Sequence, residues 1–185
     1  MTSQDTGEPP SWPRWATEAV SLVGYDPKWA QRGQREREHL HELLKPWLAG
    51  RIEHVSSTAV PGLAAKPIID LQAPVPELAV AELIAGVLSA HDWHYVPPEL
   101  EQRPYRRFFI KVKSGHRAAH LHLLLPDSAR WEQQLTFRDT LRTRPDLAHA
   151  YGQLKTDLAQ RHREDREAYT AGKHRFIQDV LAGRG

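Results

Sequence analysis

Between Arg51 and Gln72 the chain reads RIEHVSSTAVPGLAAKPIIDLQ, two apolar runs parted by three successive hydroxyl residues. Ser56, Ser57 and Thr58 offer three hydroxyls and three backbone N–H groups in a row, and a tight turn of that kind can cradle a phosphate. In the second run Ile68, Asp70 and Gln72 alternate with Ile69, Leu71 and Ala73, so a strand's two-residue period puts Asp70 and Gln72 on one face. A lone carboxylate in so apolar a run needs a chemical reason to be there. Further along, His120 and His122 stand two apart and point to one side of their own strand. If that strand lies beside the one carrying Asp70, three ligand-type side chains converge, a set compatible with a divalent metal. Lys66, just before the Asp70 strand, and Arg107, opening a later alternating strand, are the cations expected near a phosphate, Arg107 through its bidentate fork. Lys173, one helical turn beyond Tyr169, is a third candidate. Each group also has a plainer reading: a hydrogen-bonded Ser/Thr turn, a locally paired carboxylate, structural histidines and solvated surface cations.

The elements that must carry these groups are set by periodicity. Residues 1–17 are polar and proline-rich and are expected to form a mobile tail ahead of a single domain, residues 18–185. Val20 to Val23 reads as a short strand. Asp26-Pro27 starts a helix that runs toward Lys45, with Leu40, Leu43, Leu44 and Trp47 at helical spacing. Beyond the strand, turn and strand above, Pro76 to Ser89 reads as a helix with Val80, Leu83, Ile84, Val87 and Leu88 inward. Trp93 to Val96 is a strand, with a polar loop holding Pro97, Pro98 and Pro104 after it. In Arg107 to Lys113, Phe108, Ile110 and Val112 share one face and Arg107, Lys111 and Lys113 the other. Ser114-Gly115 makes a hairpin turn into Ala119 to Leu125, whose Leu121, Leu123 and Leu125 face away from His120, His122 and Leu124. The remainder is helical. Ser128 to Arg142 carries Trp131, Leu135 and Leu141, and Pro145 opens a helix whose Leu147, Tyr151, Leu154 and Leu158 make a core stripe. A final helix from about Asp165 places Tyr169, Lys173, Phe176, Ile177 and Val180 on one broad side, with Gly172 allowing close approach of a neighbour or ligand.

The segment IEHVSSTAVPGLAAKPIIDL resembles the hallmark of the GrpB family, which reads close to IEHVGSTAVPGLAAKPIIDI, and the likeness extends over nearly all of residues 20–182. The resemblance implies an α+β fold: a nucleotidyltransferase-like mixed β-sheet packed with helices, ending in a C-terminal helical segment. In that fold a Gly-Ser turn holds nucleotide phosphates and carboxylates on the next strand hold metal. It implies Ser56, Ser57 and Thr58 as phosphate or nucleotide contacts, and its Tyr-Thr-x-Gly-Lys-like segment adds Tyr169 and Lys173 to the Lys66 and Arg107 already read from the residues. Asp70, His120 and His122 are implied as catalytic or metal-binding residues. The expected reaction is transfer of a nucleotidyl or phosphoryl group from a nucleoside triphosphate to a small molecule, with a divalent metal such as magnesium as the candidate cofactor. ATP-dependent ligation is a related reading, and a non-catalytic phosphate-binding module is the alternative. A link to coenzyme A metabolism is also implied, because GrpB-like domains occur fused to dephospho-CoA kinase in some bacteria. Two positions depart from the pattern. Ser56 replaces a Gly, adding a Cβ where the backbone is expected either to approach a ligand closely or to turn left-handed. Gln72 stands where active nucleotidyltransferases carry a second Asp, and a neutral amide is a poor metal ligand.

Composition narrows the classes further. A chain of 185 residues suits one domain with a full core. With no cysteine, disulfides, thiolate metal sites and cysteine nucleophiles are excluded, and a cytoplasmic location is expected. No apolar run approaches the ~20 residues of a membrane span, and no signal peptide is expected. Net charge is +2, but residues 1–100 hold 8 basic and 13 acidic side chains while residues 101–185 hold 17 and 10, so positive charge lies C-terminal. Arg103, Arg106, Arg107, Lys111, Lys113 and Arg117 fall close together, and most are expected on a solvated face. Without a zinc knuckle or helix-turn-helix pattern, nucleic acid is an unfavoured partner and a small-molecule or nucleotide ligand the favoured one; oligomeric state is left open.

Overall fold

The computed structural model describes residues 13 and 15–184. The longest apolar alternations pair into one five-stranded sheet. Strands β1 (Glu53–Val55), β2 (Ile69–Pro74), β3 (Trp93–Val96), β4 (Arg106–Lys113) and β5 (His116–Leu124) lie in the order β1-β2-β5-β4-β3. All pairs are antiparallel except β2 with β5, so the sheet is mixed and the overall class α+β, as expected. The β4–β5 hairpin turns on Ser114 and Gly115, both at positive φ (53° and 77°), the geometry of a type I′ turn whose twist matches the strands.

Each face of the sheet has its own cover. On one face Ile69, Leu71 and Ala73 of β2, Leu121 and Leu123 of β5 and Phe109 of β4 bury against α1 (Lys28–Leu44) and α2 (Ala81–Leu88). Leu40, Leu44, Ile84 and Leu88 supply the helical side of this core. The other face presents Asp70, Gln72, His120 and His122 toward helices α4 (Ala129–Thr143), α5 (Pro145–Arg161), α6 (Arg166–Ala171) and α7 (His174–Leu181). A second apolar cluster, including Phe137, Leu141, Leu147, Tyr151 and Val180, holds these helices together. Ser128 caps α4 and Asp165 caps α6 through their side chains, satisfying N–H groups that the first turn leaves unpaired.

Several expectations are corrected. Val20 to Val23 is no strand: only Val23 bridges, to Ala65, while Val20 donates its N–H to Arg163. Leu83 is 62% exposed and Ala81 is buried in its stead, because the 3-10 turn Leu78–Val80 ahead of α2 shifts the phase of the helix. The polar loop contains a short helix, α3 (Pro98–Glu101). The final helix is two, broken at Gly172 and Lys173. A Cβ at Gly172 would lie 2.4 Å from Leu158 Cδ2, so the glycine serves close packing of α6 on α5. The expected mobile tail, residues 1–17, lies largely outside the described residues. Within it, the carbonyls of Trp15 and Ala16 accept from Arg117 at 2.8 and 3.0 Å. No helix among the described residues is long and apolar enough to cross a membrane.

Candidate active site and phosphate cavity

Parallel pairing of β2 with β5 sets Asp70 opposite His120 and Gln72 opposite His122. That register brings the two sequence motifs, fifty residues apart, onto one face. His120 Nδ1 lies 2.8 Å from Asp70 Oδ1 and His122 Nε2 lies 3.8 Å from the same oxygen. Phe108 of β4, opposite His122, stacks on its ring at 4.9 Å and meets the His120 ring edge-on. Burial alone would raise the Asp70 carboxyl, but the hydrogen bond from His120 and the close approach of His122 outweigh it and hold it well below the usual carboxylate range. Burial also pushes His120 down, and brings His122 to about 4 with help from Arg106, so both rings are neutral at pH 7.

The hydrogen bonds assign the ring protons. Arg106 Nη1 donates to His122 Nδ1 at 2.8 Å, which leaves the proton of the neutral ring on Nε2, directed at Asp70. Glu101 anchors Arg106 through its carboxylate. His120 gives its Nδ1–H to Asp70, and its buried Nε2 meets no partner among the described residues. These assignments bear on metal. Ligand atoms of Asp70, His120 and His122 lie within 4.8 Å of one another, a nitrogen-rich set closer to zinc than to oxygen-seeking magnesium. Yet the lone pair that His122 would need at Nε2 is protonated as long as Arg106 occupies Nδ1. Metal-bound histidines hand their other nitrogen's proton to an acceptor, and here that nitrogen faces a donor. As it stands the set does not fit an ion. Gln72 does not repair it: fully buried, it donates to the Trp131 carbonyl.

Before Asp70 the turn bends as its substitution foretold. Ser56 takes φ 65° and ψ −168°, a region that costs any residue but glycine. Residues Ser57–Ala59 then form one 3-10 turn. The three hydroxyls are not equivalent. Thr58 is buried, accepting from His54 Nε2 at 2.9 Å and donating to the Ile68 carbonyl, so its hydroxyl is spent inside. Ser57 Oγ accepts from Lys155 Nζ at 2.8 Å, and Lys155 also donates to the Ala64 carbonyl.

Around this turn and Asp70 opens a cavity of about 380 Å³ whose walls carry eight cationic side chains against two carboxylates, Asp70 and Glu167. Lys66 and Lys173 lie over the ring of buried Tyr169, at 5.2 and 4.5 Å from its centroid. Burial and the neighbouring ammonium of Lys173 lower Lys66 to about 8; burial likewise takes Lys173 to about 8. Lys155 falls to about 7 through burial and the ammonium groups of Lys173 and Lys66. Arg117 and Arg166 face the cavity while bonded to carbonyls of Trp15, Ala16 and Glu18.

Of the expected site residues, Ser56, Ser57, Thr58, Lys66, Asp70, His120, His122, Tyr169 and Lys173 all line this one cavity. Arg107 does not. It pairs with Leu123 on the core-facing side of β4 and bonds to the carbonyls of Pro104 and Arg106. The strand begins one residue earlier, and its alternation gives Arg106 to the cavity instead. Arg103 and Arg117 line the cavity too, and Lys111 pairs with Glu36 of α1, so the expected solvated basic face is partly an interior one. Lys155 escaped the sequence reading although a signal was there: four residues past Tyr151, it interrupts the buried stripe of α5, where a lysine must have partners.

Residues 19–183 match the family described as GrpB protein. The UPF0157 protein PA4798 of Pseudomonas aeruginosa is 39% identical over 178 residues, covering 91% of this chain and 70% of that protein. Among solved structures, the conserved protein GrpB from Enterococcus faecalis superposes with a TM-score of 0.78 at 30% identity, over 89% of this chain and 96% of that one. A chain of the GLD-2/RNP-8 complex gives a TM-score of 0.50 at 14% identity, over 86% of this chain and 60% of that one, a likeness of fold alone.

Proposed function

The chain belongs to the GrpB family, and we propose that it binds a nucleoside triphosphate by its phosphates and transfers a nucleotidyl or phosphoryl group to a small-molecule hydroxyl. The observation that carries this reading is the cavity itself, in which eight cations and one further carboxylate, Glu167, line the walls with the Asp70–His120 pair. Confined cations that repel one another are stabilised by a polyanion, and Lys66, Lys155 and Lys173 are held down in pKa by that burial and repulsion. The phosphates would lie against Lys66, Lys173 and the Ser56–Ser57 end of the turn, with Lys155 bracing Ser57 from below.

The chemistry is a displacement at phosphorus. The acceptor oxygen forms a bond to phosphorus as the bond to the leaving phosphate oxygen breaks, and the acceptor's proton passes to His120 Nε2. Asp70 holds the opposite nitrogen as a donor and stabilises the imidazolium that results. The cavity cations take up the charge that grows on the leaving group. No step is routed through an ion, because the residues present do not fit one.

Calorimetry with a non-hydrolysable triphosphate analogue tests the binding half. Lys173→Met should weaken it about tenfold, as loss of one charge-assisted contact does, and added salt should weaken the wild type. Failure of any nucleoside triphosphate to bind at millimolar concentration would sink the reading. Transfer is tested with triphosphates labelled at the α or γ position and pools of small hydroxyl compounds, the α label reporting nucleotidyl and the γ label phosphoryl transfer. Binding without transfer from either position favours a non-catalytic phosphate-binding module, a reading that Gln72 supports by standing bonded and neutral in the place of a second carboxylate.

A further inference from the structure

A second cavity, of about 250 Å³, opens on the far side of the Ser57–Ala59 turn and shares only Thr58 with the first. It wraps the free edge of β1, the terminal strand of the sheet. Glu53 and His54 leave β1 toward opposite faces, Glu53 opposite Gln72 and His54 opposite Leu71, so both sides of the edge contribute to it. Helix α1 brings Arg37 from one side and α4 brings Arg138 and Arg142 from the other. Three guanidinium groups therefore meet in one place.

Two of them are committed to protein acceptors. Arg138 donates to Glu53 at 2.8 Å, to the His54 carbonyl at 3.0 Å and to Asp139. Arg142 donates to the Ala59 carbonyl at 2.9 Å and to Asp139. Arg37 has no such partner: its Nε is buried and meets no acceptor among the described residues. A buried guanidinium N–H without an acceptor, beside two further arginines, is short of negative oxygen. The field is felt on the neighbouring imidazole, where burial and then Arg142, Arg37 and Arg138 hold His54 down at about 4 against the pull of Asp70. The His54 ring gives no acceptor to the cavity. Its Nε2–H is donated to Thr58, and its Nδ1 is covered by α1, where a Cβ at Gly33 would stand 2.3 Å from it.

We propose that this cavity is a second oxyanion site, distinct from the phosphate cavity, taking a carboxylate or phosphate group of a small molecule on Arg37 with Arg142 beside it. Its occupant touches the same turn from behind, because Thr58 and the Ala59 carbonyl belong to both the turn and this wall.

The test reads the arginine Nε–H signals in 15N-edited spectra of the whole chain, with inorganic phosphate and malonate titrated separately. Arg37→Gln identifies the Arg37 signal by its loss; if that variant does not fold, Arg37→Lys identifies it with the charge kept. The expected result is a saturable shift of the Arg37 signal. Arg142→Gln should weaken the midpoint about tenfold, and Lys173→Met, in the other cavity, should leave it in place. Response to phosphate alone or to malonate alone supports the site and names its ligand chemistry. A shift that only drifts with ionic strength, one abolished by Lys173→Met, or none with either anion overturns the proposal.

Discussion

At the scale of single residues, the conformation of Ser56 is a cost that the fold carries. A side chain at φ 65° and ψ −168° stores strain of order 1–3 kcal/mol, which glycine would release less the extra entropy its unfolded chain loses. Ser56→Gly is therefore expected to stabilise the protein by about 1 kcal/mol, read as a higher urea midpoint at unchanged slope. His54 carries a second prediction. Its folded pKa of about 4 lies below the 6.5 of the free side chain, so between these values the unfolded state binds more protons and stability falls as pH drops. His122, also near 4, adds to the same loss, and the depressed Asp70 continues it at lower pH. His54→Gln should be less stable than wild type at pH 7, having lost the Thr58 bond, yet lose about 3 kcal/mol less between pH 6.5 and pH 4. Urea titrations at both pH values measure the difference, and equal slopes for the two proteins would contradict the burial of a neutral His54.

At the scale of elements, the positions of the cavity cations depend on chain segments far from them. Arg117 projects from β5 and Arg166 from α6, and both are fastened to carbonyls between Trp15 and Glu18. These are bonds from a charged donor, each contributing roughly 1.5–3 kcal/mol when well formed. Deleting residues 1–18 should leave the sheet and both apolar clusters folded, since Val20 and all the strands and helices are retained, while the two guanidiniums lose their orientation. Affinity for a triphosphate analogue should fall severalfold while far-ultraviolet circular dichroism is unchanged. An affinity equal to that of the full chain would show that these arginines do not act on the ligand.

For the whole molecule, the cationic cavity makes stability depend on what fills it. Lys66, Lys155 and Lys173 have folded pKa values between about 7 and 8 against 10.5 for the free side chain. Above those folded values and below 10.5 the unfolded state binds more protons, so these lysines make stability rise with pH in that window. A polyanion supplies the missing counter-charge and should remove that dependence. Tripolyphosphate is expected to raise the melting temperature at pH 7, the stabilisation reaching about 2.7 kcal/mol at a hundredfold excess over its dissociation constant. The gain should shrink toward pH 10 as the ammonium groups discharge, and a gain that does not vary with pH would place the anion elsewhere.

Periodicity along the chain determined most of the local order: which runs pair into the sheet, Val20 to Val23 apart, where the hairpin turns, and that His120 with His122, and Asp70 with Gln72, each share a face. Those features arise from bonds between near neighbours and from the two-residue and 3.6-residue repeats of side chains. Ser56 was legible as a strained turn residue because a single position set it apart from the family's glycine. Strand order was not legible, since the parallel pairing of β2 with β5 is a contact between segments fifty residues apart that neither sequence encodes alone. Only the folded sheet decided that Asp70 and His120 meet. Alternation set Arg107 and Phe108 on opposite faces of β4, and only the pairing of Phe108 with His122 decided that the Phe108 side, with Arg106, faces the cavity and that Arg107 does not. Lys155, Arg117 and Arg166 look like ordinary surface charges in a helix or strand, and become cavity cations only when the C-terminal helices close over the polar face. Burial, not residue type, gives those side chains their chemistry, and burial is a property of the tertiary structure.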